Sequence, residues 1–298
     1  MVRRLVVNPL IVKDALSRVR TWRAPAIIAV YLGLLGLFAW LAFSEQLTGF
    51  QGASGFARVG SNVFSALAVT QLALVCLFTP GVAAGAISGE RERQTLDVLL
   101  VSCVPSFGIV WGKLVASVAF VLLLILAALP LFATVFLFGG IDAQQFVVAH
   151  VVTVTTALAT ASLSLFLSAL LRRTLAATVV AYGLTFAATA GTWLVGTILT
   201  AAATTPGQVD RAGLVLAANP INALLTLLRG TGGSPLRGFA PVVSTGPGPL
   251  VFLPSAQAGG GPGLEPWEVT VAVQLVVLVL CVLGTVALLR ERRGFARG

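Results

Sequence analysis

Six stretches of this chain are apolar and long enough to cross a lipid bilayer. They lie at about 24–43, 62–87, 107–138, 146–171, 174–200 and 267–289. A helix needs ~20 such residues to span the hydrocarbon core, since each adds about 1.5 Å of rise. The third stretch is too long for an upright span and contains Pro130, so tilt and a kink are expected there. Charged residues make up only 10% of the chain, against about 25% in soluble domains. That is too few to clothe a water-facing surface. The expected fold class is therefore an all-α integral membrane protein with six transmembrane helices, forming one transmembrane domain over residues 1–298.

Charge placement sets the orientation. Fifteen of the nineteen Lys and Arg residues fall in the N-terminal arm, the second–third connection, the fourth–fifth turn and the C-terminal tail. Arg58, Arg211, Arg229 and Arg237 fall on the other side. The positive-inside rule makes the first group cytoplasmic, and six spans with both termini inside are self-consistent. The net charge of +9 thus reads as topology, and no nucleic-acid partner is expected. A basic arm of 23 residues before a long apolar run also argues against a cleaved signal peptide.

Outside the spans, the arm "NPLIVKDALSRVR" (8–20) reads as an interfacial helix. Asn8 is a cap, Pro9 suits the first helical position, and Leu10, Leu16 and Val19 oppose Lys13, Asp14 and Arg18. The extracytoplasmic segment from about 203 to 265 is nearly one-third Gly and Pro, so much of it is expected to be irregular. Within it, "LVLAANPINALLTLL" (214–228) is apolar but short. It is expected to be interfacial or re-entrant, and broken at Asn219-Pro220.

Several chemistries lack their residues. His150 is the single histidine, and Cys76, Cys103 and Cys281 show no metal or disulfide spacing. No nucleophile motif or paired carboxylates occur. "GIVWGKL" (108–114) imitates a phosphate-binding loop, but it has three residues where four are needed, and Leu114 stands where Ser or Thr belongs. Lys113 is expected to anchor its span at the inner interface instead. No ionisable residue falls deep within a span, which counts against a proton-coupled carrier.

Uncharged polar stripes do occur within the spans. Thr156, Thr160, Ser164 and Ser168 repeat every four residues in the fourth. Thr178, Tyr182, Thr185, Thr189 and Thr192 share a face of the fifth, and Thr270, Gln274, Cys281 and Thr285 roughly align in the sixth. Close helix packing explains each stripe alone. A translocation path is the sharper reading, with Thr156, Thr160, Ser164, Thr185, Thr189 and Gln274 as its candidates. Gly81, Gly85 and Gly89 form a small-residue series that leads into a cluster of four charges, Glu90 to Arg93.

Taken as helical from Glu90, that cluster forms a charged first turn, with local Glu90–Arg93 and Glu92–Arg93 pairing. Leu96, Leu99, Leu100 and Cys103 form an apolar face behind it. A solvated juxtamembrane turn is the plain alternative. The longer run "GERERQTLDVLLVSCVPSFGIVWGKLVAS" (89–117) resembles the membrane subunits of ATP-binding-cassette transporters of the type-2 exporter permease family. Gly89, Glu90, Arg91, Glu92, Arg93, Thr95, Leu96, Leu99, Leu100, Gly112 and Lys113 carry the resemblance. The arm and "NPINALL" (219–225) are similar to that family too.

The resemblance implies a permease subunit, paired with a second copy or a homologous permease, in the plasma membrane. It implies two cytosolic ATPase subunits that hold the ATP and magnesium, with no cofactor in this chain. It also implies a coupling helix at about 88–103 seated in the ATPase. Glu90, Arg91, Glu92, Arg93 and Thr95 would then face the ATPase, while Leu96 and Leu99 hold the helix to the bundle. A self-sufficient carrier or channel and a non-transporting membrane scaffold remain open on the residues alone.

Overall fold

A computed structural model describes residues 23–47, 53–95, 105–202, 213, 215–229 and 265–295. All regular structure among them is helical. The helices are α1 (Arg23–Leu47), α2 (Ala53–Ala83), α3 (Gly85–Glu92), α4 (Ser106–Phe136) and α5 (Ala143–Leu170). They continue with α6 (Thr174–Phe186), a π-helical turn (Ala187–Gly191), α7 (Thr192–Ala202), α8 (Pro220–Arg229) and α9 (Pro266–Phe295). Six of the resulting rods are long and apolar enough to cross a membrane, two of them assembled from consecutive pieces. The N-terminal arm, most of the Gly/Pro-rich segment and residues 96–104 lie outside the described residues.

Each interruption has a local cause. Pro80 lies inside α2 and removes one backbone donor. The rod breaks at Ala84, whose N–H bonds Pro80 O at 2.9 Å, and resumes as α3. Between α4 and α5 the chain reverses through Gly139 and Gly140, with φ of 74° and 82°. Only glycine adopts such angles without strain. Any side chain on Gly140 would also collide with the backbone of Ala57 at the start of α2. Asp142 then opens α5, its N–H donating to Gln145 Oε1 at 3.2 Å.

Helix α5 is the hub, packing against α2, α3, α4, α6, α8 and α9. In lipid no hydrophobic effect drives helices together, so small residues and interhelical hydrogen bonds do this work. The glycine series behaves accordingly. The Tyr182 hydroxyl of α6 occupies the space a Gly81 side chain would need, and Thr174 lies against Gly85 and Gly89. The main core joins α1, α2, α4, α5 and α8 around Tyr31, Phe64, Leu124, Phe132 and Leu224. His150 meets Phe146 at a tilt and Phe132 edge-on, at centroid distances of 4.2 and 4.9 Å. Its Nδ1 pairs with Phe146 O, so it belongs to this packing.

The short segment at 214–228 does divide at Asn219-Pro220, where α8 begins. Helix α8 is folded into the bundle, burying Ala223, Leu224, Leu225 and Leu228.

Candidate functional site

Two features stand out from the packing: a charged knot at the basic end of the bundle and a cavity near mid-height of α5. The knot starts with Ser168. Helix α3 begins anew at Gly85, so its first-turn N–H groups need partners from outside the helix. Ser168 Oγ of α5 accepts two of them, from Ile87 at 3.0 Å and Ser88 at 2.9 Å. One residue at the end of the fourth-span stripe thus caps another helix across the bundle.

The next three charges reach three different helices. Lys113 Nζ of α4 pairs with Glu90 Oε1 at 2.6 Å. The Arg91 guanidinium donates through Nη2 to Ala169 O and through Nη1 to Leu171 O, both at 3.0 Å. Those carbonyls end α5, where the helix dipole favours a cation. Thr174 N–H at the head of α6 donates to Glu92 Oε1 at 2.7 Å. Arg173, at the cap position of α6, makes no side-chain cap bond. Glu92 therefore supplies the acceptor, and its negative charge suits that helix end.

This corrects three expectations. Glu90 and Glu92 sit in the last turn of a helix rather than the first, because α3 continues the second span past its break. They pair with Lys113 and Thr174, not with Arg93. Lys113 is not a free end reaching toward headgroups: its side chain is 4% exposed and held in an ion pair with Glu90.

The helix also stops sooner than a single run over 88–103 requires. Thr95 N–H bonds Glu90 O at 2.9 Å and Gln94 N–H bonds Arg91 O at 3.0 Å. Those two bonds, with Gln94 at φ 58°, form a Schellman terminus. Glutamine holds the left-handed position that glycine usually takes, which hid the stop from sequence reading. Glu92, Arg93, Gln94 and Thr95 are exposed, while Glu90 and Arg91 are half-buried. Leu96 and Leu99 lie outside the described residues.

The cavity has a volume of about 340 Å³ and lies between α5, the α6–α7 rod, the start of α8 and α9. Thr156, Thr160, Thr185, Thr189 and Gln274 all line it. Ser164, the sixth candidate, is not in the wall; its hydroxyl is buried and bonds Thr160 O at 2.7 Å. The remaining lining is largely apolar, including Leu163, Val273 and Val277.

A π-turn shapes this wall. One extra residue in the turn disturbs the helical hydrogen-bond ladder, and here the Thr189 carbonyl accepts Asn219 Nδ2 at 2.6 Å. The same amide donates to Thr192 Oγ1 at 2.6 Å. Asn219 Oδ1 meanwhile caps α8 through Ile221 N–H at 2.8 Å. Thr270 of α9 bonds Ala217 O at 2.7 Å, and Gln274 Nε2 donates to Thr156 Oγ1 at 2.7 Å. Asn219 thus ties α8 to the fifth rod, a role its place in "NPINALL" did not reveal. Among the described residues no His, Cys, Asp and Glu cluster suited to a metal ion occurs.

The model for the family described as ABC-2 family transporter protein covers residues 9–293. No curated protein matches the chain.

Proposed function

The chain belongs to the ABC-2 transporter family, and from that premise we propose that it is the membrane-spanning permease subunit of an ATP-driven exporter. The family match across almost the whole chain carries the reading. Such permeases work with ATP-binding-cassette subunits. Two cytosolic ATPases supply the ATP and magnesium, and a second permease copy or a homologous permease completes the pore. The basic end faces the cytosol of a plasma membrane.

The knot supports a division of labour in the docking segment. Arg93, Gln94 and Thr95 face outward and meet the ATPase, while Leu96 and Leu99 hold the segment to the bundle. Glu90, Arg91 and Glu92 act one step behind. They grip α4, the end of α5 and the head of α6, so displacement of the segment moves all three. Thr156, Thr160, Thr185, Thr189 and Gln274 line part of the path that changes access, and Ser164 supports it from behind.

Co-expression of the tagged full chain with the cassette ATPases of its own genome tests the reading. Capture of one ATPase, followed by ATP-dependent flux in vesicles holding both proteins, is the expected result. Flux down a gradient through vesicles holding this chain alone, unchanged by ATPase and ATP, would overturn it.

A further inference from the structure

We propose that α3 moves as one piece with the α5–α6 corner, about a hinge at Pro80–Gly85, and that Ser168 is the positioning residue that holds it to that corner. The second rod carries a weak point. Pro80 lies inside α2 and cannot donate to the carbonyl one turn earlier. Gly81 and Gly85 follow it, and Ala83, Ala84 and Ala86 carry only a methyl group, so little side-chain bulk braces the backbone. Sharp bends in helices fall at such proline and glycine positions. The rod is interrupted at Ala84, within this stretch.

Beyond the break α3 is held from the side. Ser168 Oγ accepts from Ile87 N–H at 3.0 Å and from Ser88 N–H at 2.9 Å, and it donates to Ser88 Oγ at 3.1 Å. The hydroxyl thus uses its one proton and both lone pairs. Ser88 Oγ in turn donates to Ala84 O at 3.1 Å, within the hinge. Both serines are fully buried, so water does not replace these bonds. Towards its end, α3 sends Arg91 to Ala169 O and Leu171 O, and Glu92 Oε1 accepts from Thr174 N–H. Both halves of α3 are therefore bonded to residues 168–174, and Gly85 and Gly89 let Thr174 come close. A displacement of the exposed turn after α3 passes through these bonds into α5 and α6. It bends the second rod at Pro80–Gly85 instead of tilting the rod as a whole. The Glu90–Lys113 pair carries part of the movement to α4.

The hinge stands apart from transport, whereas its part in coupling rests on the permease reading. Hydrogen exchange of the full chain in phosphatidylcholine nanodiscs tests the first. Ser168→Ala leaves two buried N–H groups without their acceptor. Exchange over residues 85–92 is expected to quicken by roughly five- to a hundredfold, with residues 62–79 unchanged. Pro80→Ala restores the missing donor, so adding it to Ser168→Ala should return most of the protection. No change over 85–92, or an equal rise over 62–79, would overturn the hinge. The same variants paired with the cassette ATPase in vesicles test the second, read as flux per ATP hydrolysed. Ser168→Ala should lower this ratio by about twofold or more. The double variant should stay low, because α3 then follows α2 and not the corner. If it regains both protection and coupling, Ser168 serves stability alone and the positioning role is overturned. Pro80→Ala by itself should also lower the ratio by stiffening the hinge, and full coupling there would overturn the proposal whether or not Ser168→Ala folds. An unaltered chain that shows the exchange pattern without ATP-dependent flux keeps the hinge and removes the permease reading.

Discussion

Lys113 and Glu90 meet at 2.6 Å with unequal burial, the lysine side chain 4% exposed and the glutamate 28%. The pair joins α4 to the end of the second rod. Its asymmetry gives a directional expectation. Glu90→Ala takes the carboxylate away from a buried ammonium, whereas Lys113→Met replaces that cation with an apolar chain of similar length. Breaking a fully buried pair costs about 3–5 kcal/mol. Partial exposure of Glu90 reduces this to about 1–3 kcal/mol for Glu90→Ala. Lys113→Met should cost less, and the double variant should be milder than the sum. Thermal unfolding of all four proteins in detergent reads this cycle.

Arg91 makes a second test of the knot. Its guanidinium forks across Ala169 O and Leu171 O. A lysine ammonium keeps the charge but not the planar fork. Arg91→Lys should lose about one charge-assisted hydrogen bond, roughly 1.5–3 kcal/mol before discounting for partial exposure. Arg172 and Arg173 lie exposed in the adjoining turn. Limited trypsin digestion should therefore cut there faster in Arg91→Lys than in the unaltered chain, and faster still in Arg91→Met.

The six rods were legible because twenty apolar residues in succession permit little else in a bilayer. The cavity was half legible. Threonines at four-residue spacing marked the right helix faces, but the same pattern puts Ser164 behind the wall. Spacing on one helix cannot tell which neighbour covers each residue. The knot was not legible for a different reason. The partners of Glu90, Arg91 and Glu92 are distant in sequence, at Lys113, Ala169 and Thr174. Two of those partners are backbone groups exposed by the ends of α5 and α6. A chain carries no local signal for a carbonyl left open by another helix.

Gln94 at φ 58° gives a test of the terminus. A non-glycine residue in the left-handed region costs about 1–2 kcal/mol, and glycine returns part of that through its larger unfolded-state entropy. Gln94→Gly should thus be neutral to stabilising by about 1 kcal/mol. Gln94→Val, branched at Cβ, should be clearly destabilising. Comparing the unfolding midpoints of the two variants decides whether the Schellman bonds define this turn.

Asn219 carries donors and acceptors with different tasks. Its Nδ2 serves Thr189 O and Thr192 Oγ1, while its Oδ1 caps α8. Asn219→Asp keeps the cap and loses both donors, setting a carboxylate against the Thr189 carbonyl. Asn219→Ala loses both functions, at about 2–4 kcal/mol for the cap and the unmet buried groups. Asn219→Asp should therefore be no more stable than Asn219→Ala despite preserving the cap. If it recovers most of the loss, the link to the π-turn contributes little.

Arg93 separates docking from internal support. It stands beyond the three gripping charges, exposed, one residue before Gln94. Surface charge reversal away from a structural contact usually changes stability by no more than about 0.5 kcal/mol. Arg93→Glu should leave the unfolding midpoint and the trypsin pattern at Arg172 and Arg173 unchanged. It should nevertheless weaken capture of the ATPase, because a rim charge in an interface acts on encounter and register. Arg91→Met should do the reverse in order, loosening the bundle first and losing coupling as a consequence. Measuring ATPase capture against thermal stability for both variants places each residue. Equal capture by Arg93→Glu and the unaltered chain would move the docking contact away from the exposed turn. A parallel fall in stability and capture for both would mean that the four charges act as one structural unit.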